Sequence, residues 1–217
     1  MRINRYNNPD GIIRLIKESI AEETRSGDLA FLLLTSKSEH YIRDRVSLNL
    51  KEILGNKYLI SREWGKNKSK IDIAVLRRGN SKKPVLMLEF KTNSVGSHII
   101  GYRKEIENDI DKLRKIHAKH NRCYVIFTSL FLDKTISPDF ADIVKYYKDI
   151  NSFINGRGFE AKFKNLAERY EYMVQLWNNL SYKKKIASSD LPRVIYAGKF
   201  YKQNTVKLLA WVIQLTH

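Results

Sequence analysis

A strand that buries both faces has little room for charge, yet the stretch Lys70–Thr92 (KIDIAVLRRGNSKKPVLMLEFKT) sets three charges into two such strands. In the first, Ile71, Ile73 and Val75 alternate with Asp72, Ala74 and Leu76. In the second, Leu86, Leu88 and Phe90 form one face, and Val85, Met87, Glu89 and Lys91 the other. A period of two puts Glu89 and Lys91 on the same side of their strand, about 7 Å apart. Asp72 lies inside an apolar strand that can pair with this one. Charges in such strands are costly unless paired or bound to a cation. The stretch therefore reads as a metal site with a lysine beside it.

The charge balance indicates what such a site would meet. Forty Lys and Arg stand against 23 Asp and Glu, a formal net charge of +17 over 217 residues. That excess favours a polyanion, nucleic acid first, because neutralising phosphates releases counterions. The plainer alternative is a basic surface with no specific partner. The length suits a single domain, residues 1–217, with a substantial core. A single cysteine, Cys123, excludes an intrachain disulfide and any cysteine-rich zinc site, which points to a reducing compartment. No apolar run approaches the roughly 18 residues of a membrane span, and the polar opening MRINRYNNPD is no signal peptide. The expectation is a soluble, cytoplasmic chain with no membrane partner.

Pro9-Asp10-Gly11 reads as a helix start with Asp10 as N-cap, followed by Ile12, Ile13, Ile16 and Ile20 at helical spacing to about Arg25. Leu29–Leu34 is an apolar run of undecided type. A helix from Ser36 or Ser38 to Leu54 carries Ile42, Val46, Leu50, Ile53 and Leu54 on one face, with Glu39 near the centre of that face. Glu39 is either an exposed first-turn acid favoured by the helix dipole or a third carboxylate aimed at the strand site. Arg43, one turn on, could pair with Glu39 or with a phosphate. Tyr58–Trp64 is a strand, with Glu63 near its end as an extra acid or a surface one. The loops Gly65–Lys70, with Lys66, Lys68 and Lys70, and Arg77–Pro84, with Arg77, Arg78, Lys82 and Lys83, would bracket the site and grip phosphates, or be solvated turns.

After a loop over Thr92–Ser97, Ile99–Lys119 reads as a helix with Ile99, Tyr102, Ile106, Ile110, Leu113 and Ile116 inward and its acids Glu105, Glu107, Asp109 and Asp111 on the surface. His98, His117 and His120 lack metal-ligand spacing. Arg122–Thr128 is a core strand with Cys123 as a small buried hydrophobe. Beyond it, Asp139–Phe153 reads as a helix, Asn155–Gly158 as a break and Glu160–Leu180 as a long helix. Tyr170, Tyr172 and Trp177 on that helix suit a core more than base stacking. Lys183, Lys184 and Lys185 sit in a linker, Ser181–Asp190, and Val194–Ala197 with Val206–Leu215 close the chain as a β-hairpin about Gly198–Thr205.

The order of these parts is a helix with Glu39, a strand, the Asp72 strand, the Glu89-Phe90-Lys91 strand, a helix and the strand ending at Thr128. It resembles the PD-(D/E)xK nuclease superfamily over residues 36–129, although Ile71 stands where the motif has proline. The resemblance implies an α/β fold with a restriction-endonuclease-like core, a central mixed sheet flanked by helices. Residues 130–217 would form a mostly helical extension ending in the hairpin. It implies that Asp72, Glu89 and the Phe90 carbonyl hold Mg²⁺, with Mn²⁺ able to substitute. Lys91 would orient or help deprotonate the attacking water, and Glu39 would be the helix acid that many members contribute.

The expected activity is that of a metal-dependent DNA endonuclease of a restriction or defence type, most simply a homodimer with one site per strand. A structure-selective resolvase or repair nuclease would use the same residues. An inactive nucleic-acid-binding module of the same fold is the reading from another class.

Overall fold

The computed structural model describes residues 2–66, 69–93, 99–116, 122–155, 165–184, 187–188 and 192–215. Its helices are α1 (Pro9–Ser19), α2 (Ala21–Ser26), α3 (Leu29–Thr35), α4 (Ser38–Leu54), α5 (Ile99–Ile116), α6 (Tyr147–Ile154) and α7 (Leu166–Lys184). Its strands are β1 (Tyr58–Lys66), β2 (Ser69–Arg77), β3 (Asn80–Asn93), β4 (Arg122–Leu132), β5 (Ala187–Ser188), β6 (Arg193–Phe200) and β7 (Asn204–Leu215). Among the described residues no helix is long and apolar enough to cross a membrane.

The strands form one mixed sheet, β1-β2-β3-β4-β7-β5, with β6 also paired to β7. Every pairing is antiparallel except β3–β4, which α5 joins as a crossover. α4 packs on β1, β2 and β3, α5 on β3 and β4, and α1 on α4 and β7. The fold is thus α/β, a mixed sheet flanked by helices. The C-terminal strands are no appendage, because β7 pairs with β4 along nearly its whole length. Central strands covered on both faces explain the continuous apolar run of β4, which is buried from Cys123 to Leu132.

Several sequence readings shift. The N-cap of α1 is Asn8, whose Oδ1 accepts from Gly11 N–H at 2.8 Å, while Asp10 instead pairs with Arg193 at 2.8 Å. Pro9 takes the first helical position, where its missing N–H costs nothing. A side chain at residue 11 would meet the Arg5 carbonyl at 2.2 Å, so glycine is required there. The apolar run Leu29–Leu34 is helical, with Leu29, Ala30, Leu33 and Leu34 buried.

The second basic loop shrinks to Arg78-Gly79, because β2 and β3 stay paired out to Arg77↔Asn80 through a register shift that sets Pro84 opposite Leu76. The loop placed at Thr92–Ser97 begins later, since Thr92 and Asn93 belong to β3. The helix expected from Asp139 is only Tyr147–Ile154. A 3₁₀ turn at Pro138–Phe140 precedes it, and Tyr146 interrupts with a left-handed backbone (φ 63°). α7 runs on through Lys183 and Lys184, where a linker was expected. Lys68, Lys185, the break at Gly156–Gly158, His98, His117 and His120 lie outside the described residues. The closing hairpin stands, with a tighter turn at residues 201–203.

Candidate active site

The β2–β3 ladder ends at Ile73↔Leu88. Beyond it the backbone N–H groups facing the gap have no carbonyl partners, and buried N–H groups need acceptors. Carboxylates supply them. Phe90 N–H donates to Asp72 Oδ2 at 2.8 Å, and Asp72 N–H donates to Glu89 Oε2 at 3.3 Å. Farther along β3, Thr92 N–H donates to Glu39 Oε2 at 3.1 Å, from the first turn of α4. Glu39, Asp72 and Glu89 therefore converge on one fork in the sheet. Glu39 thus reaches β3 at Thr92, two positions beyond Phe90.

Arg43, one turn after Glu39, is buried and reaches Asp72 Oδ1 with Nη1 at 3.4 Å and Asp44 Oδ1 with Nε at 3.4 Å. Glu63 is half exposed, bonded to Lys70 at 3.1 Å and 4.0 Å from Arg43. The Lys70 contact holds its carboxyl below the usual range.

Glu89 is 6% exposed. Burial, and then the Asp72 charge, push its pKa from 4.5 up to about 8, against the opposing pull of Lys112. Lys112 of α5 contacts Glu89 Oε1 directly and Asp109 at 3.1 Å. Lys91 turns to the same helix, 3.1 Å from Glu105 and 3.8 Å from Asp109. Burial opposes the Lys91 charge, but the Glu105 hydrogen bond and the neighbouring acids more than offset it and raise its pKa. Glu39 is raised by burial despite the Thr92 N–H bond and the Lys91 charge. Beside the fork opens a pocket of about 230 Å³ whose lining includes Lys37, Glu39, Lys91, Glu105 and Tyr146.

A divalent cation fits this donor set in kind. The carboxylate oxygens facing the fork each accept one described hydrogen bond and keep a further lone pair. Phe90 N–H points to the β2 edge, and in an extended strand the carbonyl of the same residue shares that edge. Two carboxylates and a carbonyl suit Mg²⁺, which takes oxygen ligands and keeps several waters. Among the described residues no three Asp, Glu, His or Cys side chains are grouped closely enough to hold a metal by themselves.

The sheet does not bring the two basic loops together. Successive turns of an antiparallel meander lie at opposite ends, so the β1–β2 turn with Lys66 and Lys70 is at the fork end. Arg77 and Arg78 are at the other end, five and six residues along β2 from Asp72 or about 16–20 Å. Lys82 and Lys83 flank the same far turn. The bracketing expected of the two loops is therefore absent.

The surface reading holds for Glu105, which is exposed while it pairs with Lys91, and is corrected for Asp109, whose largely buried carboxylate lies between Lys91 and Lys112. Their stripe, Glu105, Asp109 and Lys112, runs beside the buried Ile106, Ile110 and Leu113 at the same helical spacing. That periodicity was the available signal for Lys112. On α7, Tyr170 packs edge-on to Phe131 at 6.1 Å, as a core residue should. Compared with known protein families, with characterised proteins and with solved structures, the chain finds no match in any of the three.

Proposed function

We propose that this chain is a Mg²⁺-dependent phosphodiesterase acting on DNA, an endonuclease of the restriction or defence kind. The observation that carries the proposal is the fork. Asp72 and Glu89 enter the gap between β2 and β3 from opposite strands, with Glu39 above and Lys91 on the same strand as Glu89. The order α4-β1-β2-β3-α5-β4, with β3 and β4 parallel, fits a restriction-endonuclease-like core. The net charge of +17 fits a polyanionic substrate.

Asp72, Glu89 and the Phe90 carbonyl would hold the cation. Bound there, it would lower the pKa of a coordinated water and neutralise charge on the phosphate. Lys91 keeps its proton, so its part is to stabilise negative charge developing on the phosphate oxygens rather than to act as a base, which would need a lowered pKa. Glu39, fixed by Thr92 N–H, faces the approach to the fork and would orient the attacking water. Arg43 would exchange Asp72 for a phosphate oxygen, a geometry that guanidinium groups favour. A two-fold dimer would present one such site to each strand of a duplex. A resolvase or repair nuclease would share all of these roles.

The binding-module reading keeps one specific observation. Lys91 lies against Glu105 and not Glu89, whose Oε1 is held by Lys112. Incubation with plasmid and phage DNA in Mg²⁺ or EDTA, beside Lys91→Ala, separates the readings. Discrete Mg²⁺-dependent bands that vanish in the variant support a sequence-specific endonuclease, and a smear supports a nuclease of another kind. Salt-sensitive binding without cleavage of linear, branched or RNA substrates would leave the binding module.

A further inference from the structure

Among the described residues, the non-glycine positions with positive φ are Glu63, Tyr146, Tyr201 and Lys202. Glu63 belongs to the fork region, and Tyr146 lines the pocket with Glu39 and Lys91. A left-handed backbone at a bulky residue carries strain, and such strain persists where something else requires it.

Tyr146 is the sharper case. It precedes α6 at the N-cap (φ 63°, ψ 25°), where an extended Ser, Thr, Asp or Asn would cap the helix, and its side chain makes no cap hydrogen bond. The Tyr146 side chain itself is not held by packing, since the residue is 44% exposed. The backbone on either side is pinned. Lys145 N–H donates to the Leu34 carbonyl at 2.8 Å, and Val144 and Ile150 are buried. An exposed aromatic residue is thereby held at the wall of a pocket that Glu39 and Lys91 of the proposed site also line. Lys145 Nζ sits 5.7 Å from the ring centroid, and Lys37 lines the same pocket. About 230 Å³ is below the range of drug-sized ligand pockets, but it suits a fragment such as one planar base.

We infer that Tyr146 is a stacking platform for an unpaired base adjacent to the scissile phosphate, with Lys37 and Lys145 on the neighbouring backbone. The substrate is then DNA that presents at least one unstacked nucleotide at the site: a single strand, a junction or a flipped base. Aromatic stacking beside flanking cations is how proteins hold single strands without reading sequence. The inference rests on the reading of the fork as a phosphodiester-cleaving site, and it adds the form of the DNA.

The test is a binding titration of the full chain in Ca²⁺ with a single-stranded oligonucleotide carrying 2-aminopurine, and with the same base paired in a duplex. The wild type and Tyr146→Phe should quench the single-stranded probe. Tyr146→Ala and Tyr146→Asn should bind it on the order of 10-fold or more weakly. Asparagine tolerates the left-handed backbone, so Tyr146→Asn should melt no lower than the wild type, which separates lost stacking from lost folding. Equal affinity of wild type and Tyr146→Asn for the single strand would overturn the inference. Cleavage in Mg²⁺ is scored separately. Tyrosine-dependent binding without cleavage keeps the platform and removes the nuclease, whereas cleavage with binding indifferent to Tyr146 does the reverse.

Discussion

Replacing Glu89 by Gln tests the electrostatics of the fork directly. With burial as the chief cause and the Asp72 charge second, Glu89 is shifted from 4.5 to about 8. A carboxyl raised in the folded state binds a proton there that the unfolded chain releases. Its contribution is complete below about pH 4.5 and is lost as the pH rises toward 8. At about 1.4 kcal/mol per pH unit the full loss is roughly 5 kcal/mol, of which about 2 has accrued by pH 6. Glutamine has no such dependence. It forfeits one acceptor for Asp72 N–H or Lys112, an offset of about 1 kcal/mol that does not vary with pH.

In EDTA, the stability of Glu89→Gln relative to wild type should therefore climb by about 3 kcal/mol between pH 6 and pH 9. For a chain of this size that is roughly 6–12 °C in Tm. Mg²⁺ should narrow the gap at pH 9 by stabilising the wild type alone, because a cation favours the ionised carboxylate. Thermal melts at the two pH values, with and without metal, measure it. A Tm difference that stays constant across pH, or a variant stabilised by Mg²⁺ as much as the wild type, would refute the reasoning.

Arg43→Met should lower stability by about 3 kcal/mol at neutral pH in urea titrations, because it leaves the largely buried Asp72 carboxylate without its guanidinium. Lys202→Gly should raise stability by about 1 kcal/mol. Lys202 (φ 58°) and Tyr201 (φ 44°) are the central residues of a tight turn closed by Gln203 N–H to Phe200 O, and an exposed glycine relieves the left-handed strain. An unchanged or lower Tm counts against that. Cys123 is fully buried and its thiol is pushed up to about 12 by desolvation, so it should react with an aromatic disulfide reagent at the rate of unfolding and no faster.

What the sequence made legible was whatever depends on local period. The alternation in β2 and β3, the apolar face of α4 and the unbroken run of β4 all place themselves. Asp72, Glu89 and Glu39 stood out because each interrupts an apolar face. The fork did not, because it depends on where a ladder between residues far apart in sequence stops, and no local pattern marks Ile73↔Leu88 as its last rung. Asn8 took the cap from Asp10 because the close approach of the Arg5 carbonyl at Gly11 fixes where the helix begins. Tyr146 broke an expected helix against its propensity, a choice visible only once its neighbours are pinned. The separation of the basic loops was a matter of topology, since an antiparallel meander sends alternate turns to opposite ends.

The charges at the fork argue that its structural and catalytic readings are one. Seven carboxylates, Glu39, Asp44, Glu63, Asp72, Glu89, Glu105 and Asp109, meet five cations, Arg43, Arg62, Lys70, Lys91 and Lys112, within one connected set of contacts. Fully ionised, the set carries two negative charges in excess, inside a chain of formal charge +17. A site built only for stability would recruit a neighbouring lysine or replace an acid, and this chain has lysines in excess. The set leaves the excess in place and carries the strain as a raised Glu89. Its carboxylates cap strand N–H groups while keeping lone pairs free, so a divalent cation can restore neutrality without undoing a hydrogen bond to the backbone. An excess of two negative charges is what one divalent cation would offset, which is the charge that the proposed metal role requires.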